Sequence, residues 1–262
     1  MVRHWKTSGA APLLFAAALF ASGCGGEAVR EPAHRAEWTV MGTIAAVQWR
    51  GTEDARPDEP VREVFSKIEK LLNAHDPGSE LRRLAPLADE EVLAKCDPSV
   101  RACYEAAFAM SRETGGAFNP RWRGPGTMDL GAIAKGFAVD CAADALARSG
   151  RLPPGGALID LGGNLKAVSG EWTVGVFGAE GERIALKAGM AVATSGEYYR
   201  GRHIMDARTG EAPSNAVFSV SVVHPSSAML ADALSTSLFI LGRDAGESFL
   251  GSRHPGARAV WR

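Results

Sequence analysis

The stretch Thr127-Met-Asp-Leu-Gly-Ala-Ile-Ala-Lys-Gly-Phe-Ala-Val-Asp140 decides how the chain is read. It opens as a turn, with Asp129, Gly131 and small residues around Lys135 and Gly136. It then takes on helical spacing through Ile133, Phe137, Cys141 and Leu146. A turn of low bulk that opens a helix presents backbone N–H groups at the positive end of the helix dipole, a setting that suits a phosphate or pyrophosphate. Lys135 adds a mobile cation. Asp129 adds an acceptor for a hydroxyl, a base edge or a metal-bound water. The G-x-x-x-x-G-K-S/T spacing of a P-loop is absent, and an Asp capping an ordinary surface helix gives the same letters.

Outward from this stretch, the predicted helix runs to Arg148 and stops at Gly150, and a strand follows over Ala157 to Leu161, ending in Gly162-Gly163-Asn164. Strand-like runs continue at Trp172 to Phe177, Arg183 to Lys187, Met190 to Thr194, Val217 to Val223 and Ala257 to Trp261. Helices are expected over Ala228 to Leu241 and Asp244 to Leu250. Upstream, Glu37 to Arg50 reads as one strand interrupted by Met41-Gly42-Thr43, where a glycine marks a bulge or a close approach of ligand. Val61 to Ala74 has helical periodicity, Ser79 caps a short helix over Glu80 to Leu84, and Asp97-Pro98 starts a helix that reaches Thr114. Asn164 reads as a left-handed turn residue. Thirty glycines and 14 prolines suit an α+β fold with many turns rather than a helical bundle.

With 262 residues, 46% of them hydrophobic, the chain can bury a substantial core. A net charge of −1 gives no electrostatic footprint for a nucleic-acid partner. The N-terminal 23 residues have another character. Arg3, His4 and Lys6 precede a short apolar run from Pro12 to Phe20, too short to span a bilayer, which ends in Ala21-Ser22-Gly23-Cys24. Small residues before a Cys match a bacterial lipobox. Residues 1–23 are therefore expected to be a lipoprotein signal peptide, with Cys24 lipidated and anchoring an exported chain to a membrane. Residues 24–36 would form a flexible tether, leaving residues 37–262 as the folded domain. Cys96 and Cys103 are candidates for a disulfide in that oxidising setting, and Cys141 is expected to be buried and inert.

Two further groups of residues can carry chemistry. Asp232 and Thr236 stand at i and i+4, so their oxygens share a helix face and can hold Mg²⁺; the alternative is a polar stripe with Thr236 bonded back to the Asp232 carbonyl. The flanking Leu234, Leu238 and Phe239 make this helix look buried, and a carboxylate there needs a partner. His203 and Asp206 stand beside a turn and can act as a base or bind substrate. Arg208 either clamps a phosphate or pairs with Asp206.

Seven segments occur in an order that resembles one family. They are Met41-Gly-Thr43, Gly116-Ala-Phe-Asn-Pro120, Asp129-Leu-Gly-Ala-Ile-Ala-Lys-Gly136, Leu161-Gly-Gly-Asn164, Ala193-Thr-Ser-Gly196, His203-Ile-Met-Asp-Ala-Arg-Thr-Gly210 and Ala231-Asp-Ala-Leu-Ser-Thr236. Together, over Trp38 to Gly242, they resemble the ApbE family of FAD:protein FMN transferases. The resemblance implies two α+β halves with mainly antiparallel sheets and an extended FAD between them. It implies Mg²⁺ held by the Ala132 carbonyl and the side chains of Asp232 and Thr236, and FAD contacts at Met41, Ala117, Phe118, Asn119, Asp129, Lys135 and Ile204. A Thr or Ser hydroxyl of an exported target flavoprotein would take the FMN, AMP would leave, and His203, Asp206 or Asp232 would serve as base. An FAD pyrophosphatase and a non-enzymatic flavin-binding lipoprotein are the competing readings. Two features depart from the family pattern: only Arg121 to Met128 separate Pro120 from Asp129, where members carry a longer segment, and His75 stands where an aromatic residue near the flavin is common.

Overall fold

The computed structural model describes residues 34–175, 182–197 and 203–262. The proposed signal peptide and Cys24 lie outside these residues. The described chain is α+β, as expected. Its elements are β1 (His34–Val40), β2 (Thr43–Trp49), α1 (Asp58–Leu72), α2 (Glu80–Leu84), α3 (Asp89–Lys95), α4 (Arg101–Glu113), α5 (Ala134–Arg148), β3 (Ala157–Leu161), β4 (Asn164–Ser169), β5 (Trp172–Gly175), β6 (Arg183–Leu186), β7 (Ala191–Gly196), β8 (Ser219–His224), α6 (Ala228–Leu241), α7 (Arg243–Arg253) and β9 (Arg258–Trp261).

Seven strands form one sheet in the order β1-β2-β3-β4-β7-β8-β9, and every pairing in it is antiparallel. Helices α1, α5, α6 and α7 lie side by side over one face, against β1, β3 and β4, β7 and β8, and β9 respectively. The β5–β6 hairpin covers the other face. Alternation along the strands explains this: Ile159, Ala191 and Val222 join the helix-side core, whereas Leu158, Val192 and Val223 pack with Trp172, Val174, Ile184 and Leu186. The seven-stranded sheet runs unbroken from β1 to β9, and α5 on β3 and β4 and α6 on β7 and β8 are set side by side on it.

The N-terminal strand differs from its sequence reading. Thr43 pairs with Val40, so Met41-Gly42 is a two-residue hairpin turn rather than a bulge within one strand. Both residues have positive φ, 51° and 67°, as a twist-compatible tight hairpin requires. Left-handed backbone at a side chain as large as Met costs about 1–2 kcal/mol. Strand β1 begins at His34, so residues 34–36 of the expected tether belong to the sheet.

Other boundaries also move. Helix α4 begins at Arg101: Asp97 accepts the Ser99 N–H at 2.7 Å as an N-cap does, but the residues it caps, 98–100, form a tight turn closed by the Val100 N–H on the Asp97 carbonyl at 3.0 Å before the regular helix starts. Helix α3, mostly charged and without a long apolar stripe, is absent from the sequence reading. Asn164 is the first residue of β4 and is buried, not an exposed turn residue. Ser79 caps α2 by accepting from the Arg82 N–H at 3.2 Å, as predicted. Cys96, Cys103 and Cys141 are all free thiols, so the Cys96–Cys103 disulfide is not formed. Cys141 is half-buried, and burial pushes its thiol up to about 11.

Candidate active site

Helices α5 and α6 run antiparallel and meet without side-chain spacers at Gly136. A Cβ there would lie 2.2 Å from the Ala228 carbonyl oxygen and 2.7 Å from Asp232 Cβ. The approach is locked at two points by carboxylates that accept backbone N–H groups from the facing helix. Gly136 N–H donates to Asp232 Oδ2 at 2.9 Å. About one turn away, four residues along each helix, Asp140 accepts from the N–H groups of Ala228 and Met229 at 2.9 and 3.0 Å, and from Ser227 Oγ at 2.8 Å. Lys166 of β4 closes the charge on Asp140 at 2.7 Å. Asp140 thus satisfies the first turn of α6 from outside the helix and fixes where Asp232 and Thr236 stand.

The first turn of α5 is irregular as a result. In a regular turn the Gly136 N–H returns to the Ala132 carbonyl, four residues earlier. Here it goes to Asp232, and among the described residues no hydrogen bond reaches the Ala132 carbonyl. Asp129 does not cap α5. It accepts from the Gly131 N–H at 2.8 Å and shapes the turn before the helix, with the Arg123 guanidinium 3.7 Å away. Lys135 reaches back to the Gly131 carbonyl at 3.0 Å and lies 3.7 Å from Asp232 Oδ2.

Asp232 itself is 5% exposed. Burial pushes its carboxyl above the usual range, against the opposing pull of Lys135 and the Gly136 N–H. Thr236 does not bond back to the Asp232 carbonyl. Ser235 does so, at 2.9 Å, while the Thr236 hydroxyl meets Ser195 Oγ from the end of β7 at 3.0 Å. Ser195 also contacts Ser235 Oγ at 2.8 Å. The Ala132 carbonyl, the Asp232 carboxylate and the Thr236 hydroxyl are all hard oxygen donors. That chemistry, with a carboxylate short of compensating charge, fits Mg²⁺. No group of three or more His, Cys, Asp or Glu that could hold a metal occurs among the described residues.

A second cluster joins Gly116–Pro120 to His203–Gly210. Ala207 N–H donates to the Ala117 carbonyl at 3.4 Å. Ala117 and Phe118 are buried, and Thr114 fixes them: its Oγ1 accepts from the Phe118 N–H at 3.1 Å and donates to the Met110 carbonyl at 2.8 Å. Asn119 accepts from the Arg121 N–H at 2.8 Å. Asp206 is held by Arg208, whose Nε and terminal nitrogen donate at 2.9 and 2.7 Å; this keeps its carboxyl below the usual range despite burial. The Asp206 carbonyl also accepts from Thr209 and Gly210, so this residue builds the turn. His203 is exposed and its neighbour Ile204 is buried, 8% exposed. Met41 forms a third group with Glu69, at the β1–β2 turn.

The short connector from Arg121 to Met128 is tied down rather than loose. Arg121 donates to the carbonyls of Ala85, Leu87 and Thr127 and to Asp89, and its guanidinium lies 5.9 Å from the Phe108 ring centroid. His75, at the end of α1, is exposed.

Sequence spacing does not single out Ser195, Ser235, Thr114, Asp140 or Glu69 as site residues. Ser195 lies inside a small-residue strand end that was visible as a pattern, but its partner is 41 residues away.

The sequence model of the ApbE family matches residues 41–125 and 122–261, two stretches that meet inside the Arg121 to Met128 connector. Among curated proteins, a Treponema pallidum protein named FAD:protein FMN transferase is 28% identical over 91% of this chain and 86% of its own length. One of the same name from Klebsiella pneumoniae is 37% identical over 48% of this chain, and the match spans 42% of that protein's length. Among solved structures, the flavin transferase ApbE from Vibrio cholerae superposes with a TM-score of 0.69 at 19% identity, covering 88% of this chain and 94% of that one. The ApbE protein of Thermotoga maritima gives 0.68 at 24% identity, covering 87% and 93%. These structural neighbours share the fold, and with most of its length matched by the family's own sequence pattern, the chain belongs to the ApbE family.

Proposed function

We propose that this protein transfers FMN from FAD to a Thr or Ser hydroxyl of an exported target flavoprotein and releases AMP. The observation that carries this reading is the α5–α6 junction, where the Gly136 N–H goes to buried Asp232 and leaves the Ala132 carbonyl without its helical partner. Ala132, Asp232 and Thr236 would hold Mg²⁺, which when bound neutralises charge on a pyrophosphate. Lys135 would supply the mobile positive charge next to it. Phosphoryl transfer depends on positioning and charge neutralisation more than on covalent help from the protein, and this junction offers both. Met41, Ala117, Phe118, Asn119, Asp129 and Ile204 would line the FAD site.

In the reaction the acceptor oxygen forms a bond to the phosphorus on the FMN side. The bond from that phosphorus to the bridging oxygen breaks, and AMP departs with the bridge oxygen. The acceptor proton goes to a base, for which we assign His203. Asp206 is committed to Arg208 and its carboxyl is held acidic, which suits a turn builder better than a proton acceptor. Asp232 is committed to the Gly136 N–H. Export and anchoring through a lipidated Cys24 complete the proposal and place the acceptor outside the cytoplasm.

Mass spectrometry tests it. The full-length chain is mixed with FAD and Mg²⁺, with and without a candidate acceptor flavoprotein domain. AMP release with an acceptor mass gain equal to FMN supports the transferase. AMP with free FMN and no acceptor assigns a pyrophosphatase instead. FAD bound without AMP in either mixture leaves a flavin-binding lipoprotein.

A further inference from the structure

We infer that Glu69 is a positioning residue for FAD, acting through the backbone of Met41. Met41 is one of two non-glycine residues with positive φ among the described residues, at 51°. Its N–H donates to Glu69 Oε1 at 2.7 Å across 28 residues of sequence, a short charge-assisted bond in a half-buried setting. The tight hairpin demands a positive φ at this position, yet the turn has no Asn or Asp to meet that demand cheaply, and a long unbranched side chain gains nothing from the left-handed region. The bond to Glu69 supplies what the turn lacks.

Glu69 is itself rigidly placed. Its helix, α1, is seated by buried Val61, Phe65, Ile68 and Leu72. The same helix grips β1 beside the turn, with Phe65 against Trp38 at 6.0 Å and the Arg62 guanidinium over the Trp38 ring at 3.9 Å. On the other side, the Gly162 N–H donates to the Ile44 carbonyl at 3.0 Å, which fixes the β1–β2 hairpin against the β3–β4 turn. Strained backbone held by several elements at once is characteristic of a ligand clamp. The inference rests on the proposed FAD contact at Met41.

The test compares Glu69→Ala with Glu69→Gln in the full-length chain. The amide oxygen of Gln keeps the acceptor, so the two variants separate the hydrogen bond from general loss of the side chain. FAD affinity is read by flavin fluorescence without added metal, and KM and kcat by AMP release. Glu69→Ala is expected to weaken FAD binding and raise its KM about tenfold with kcat within about twofold, the size expected for losing one charge-assisted bond. Glu69→Gln is expected to stay within about threefold of wild type, because a neutral acceptor restores most of that bond. In Glu69→Ala the Met41 amide should lose protection from hydrogen exchange while the α1 amides keep theirs. Wild-type FAD affinity in Glu69→Ala overturns the inference, and so does a Gln variant as weak as the Ala variant. A wild-type chain that does not bind FAD refutes the FAD site itself.

Discussion

The backbone N–H of Gly136 donates to the carboxylate of Asp232 rather than to its own helix. One glycine thereby does two things. It lets α5 and α6 touch, and it leaves the Ala132 carbonyl unengaged at the point where the proposed metal and pyrophosphate would sit. Replacement by Ala separates these effects from helix propensity, which would favour Ala by roughly 1 kcal/mol. The new Cβ would meet backbone, not a mobile side chain, at 2.2 Å. Gly136→Ala should therefore destabilise the fold by about 1–3 kcal/mol, the range for overpacking, and disturb Asp232 as the helices part. Urea denaturation checks the first effect; a fall in turnover larger than the stability loss can explain checks the second.

Asp232→Ala should leave the fold intact and abolish Mg²⁺-dependent turnover. The buried Gly136 N–H loses its acceptor, so unfolding is expected to shift by about 1–3 kcal/mol, less whatever relief comes from no longer burying a carboxylate. Turnover should fall on the order of 100-fold or more, the usual effect of removing a group that organises charge around a reacting centre. Titrating Mg²⁺ against AMP release provides the check, and wild-type turnover would remove Asp232 from the proposed metal site.

Much of this arrangement is legible in sequence because the functional segments are short and local. Periodicity gives the helix after the Asp129 to Gly136 turn and the span of α6, and with it the shared face of Asp232 and Thr236; spacing leaves that face open to a metal site or a polar stripe, and only the family resemblance implies the metal. The hairpin at Met41-Gly42 is not legible, because tight hairpin turns favour Asn or Asp before Gly and this one has Met. What makes Met possible is Glu69, 28 residues on. Ser195, Asp140 and Thr114 escape for the same reason: their roles lie in contacts between elements, whereas periodicity reports only which face of one element is apolar. The Asp97-Pro98 signal places the start of α4 a few residues early because Asp97 caps a tight turn over 98–100, closed by the Val100 N–H on the Asp97 carbonyl, that leads into the helix.

Arg121→Ala should loosen the short connector without touching the core. Three backbone carbonyls and the Asp89 carboxylate converge on this one guanidinium. Its loss is expected to cost about 1–3 kcal/mol, since the carbonyls of Ala85 and Leu87 are left with fewer partners. Hydrogen exchange should rise over residues 121–128 and at the α2–α3 link, and stay unchanged in α5 and α6. If the connector limits water at the flavin side, AMP release without acceptor should rise as acceptor labelling falls.

Asp206 and Arg208 make a prediction with a defined pH window. The Arg208 guanidinium holds the Asp206 carboxyl below its ordinary value, with burial acting the other way. A carboxylate whose folded pKa is depressed stabilises the fold fully above its unfolded pKa, near 3.9, and loses that contribution as pH falls through the lower folded value. Arg208 is 45% exposed, so solvent screening keeps the pair at about 1 kcal/mol. Asp206→Asn should then be less stable than wild type by about that amount at pH 6, and the gap should close as pH drops below about 4. Urea midpoints measured for both proteins from pH 6 down to the acid limit of folding test it. A gap that persists unchanged at the lowest pH would show that Asp206 acts through the geometry of its turn and not through its charge on Arg208.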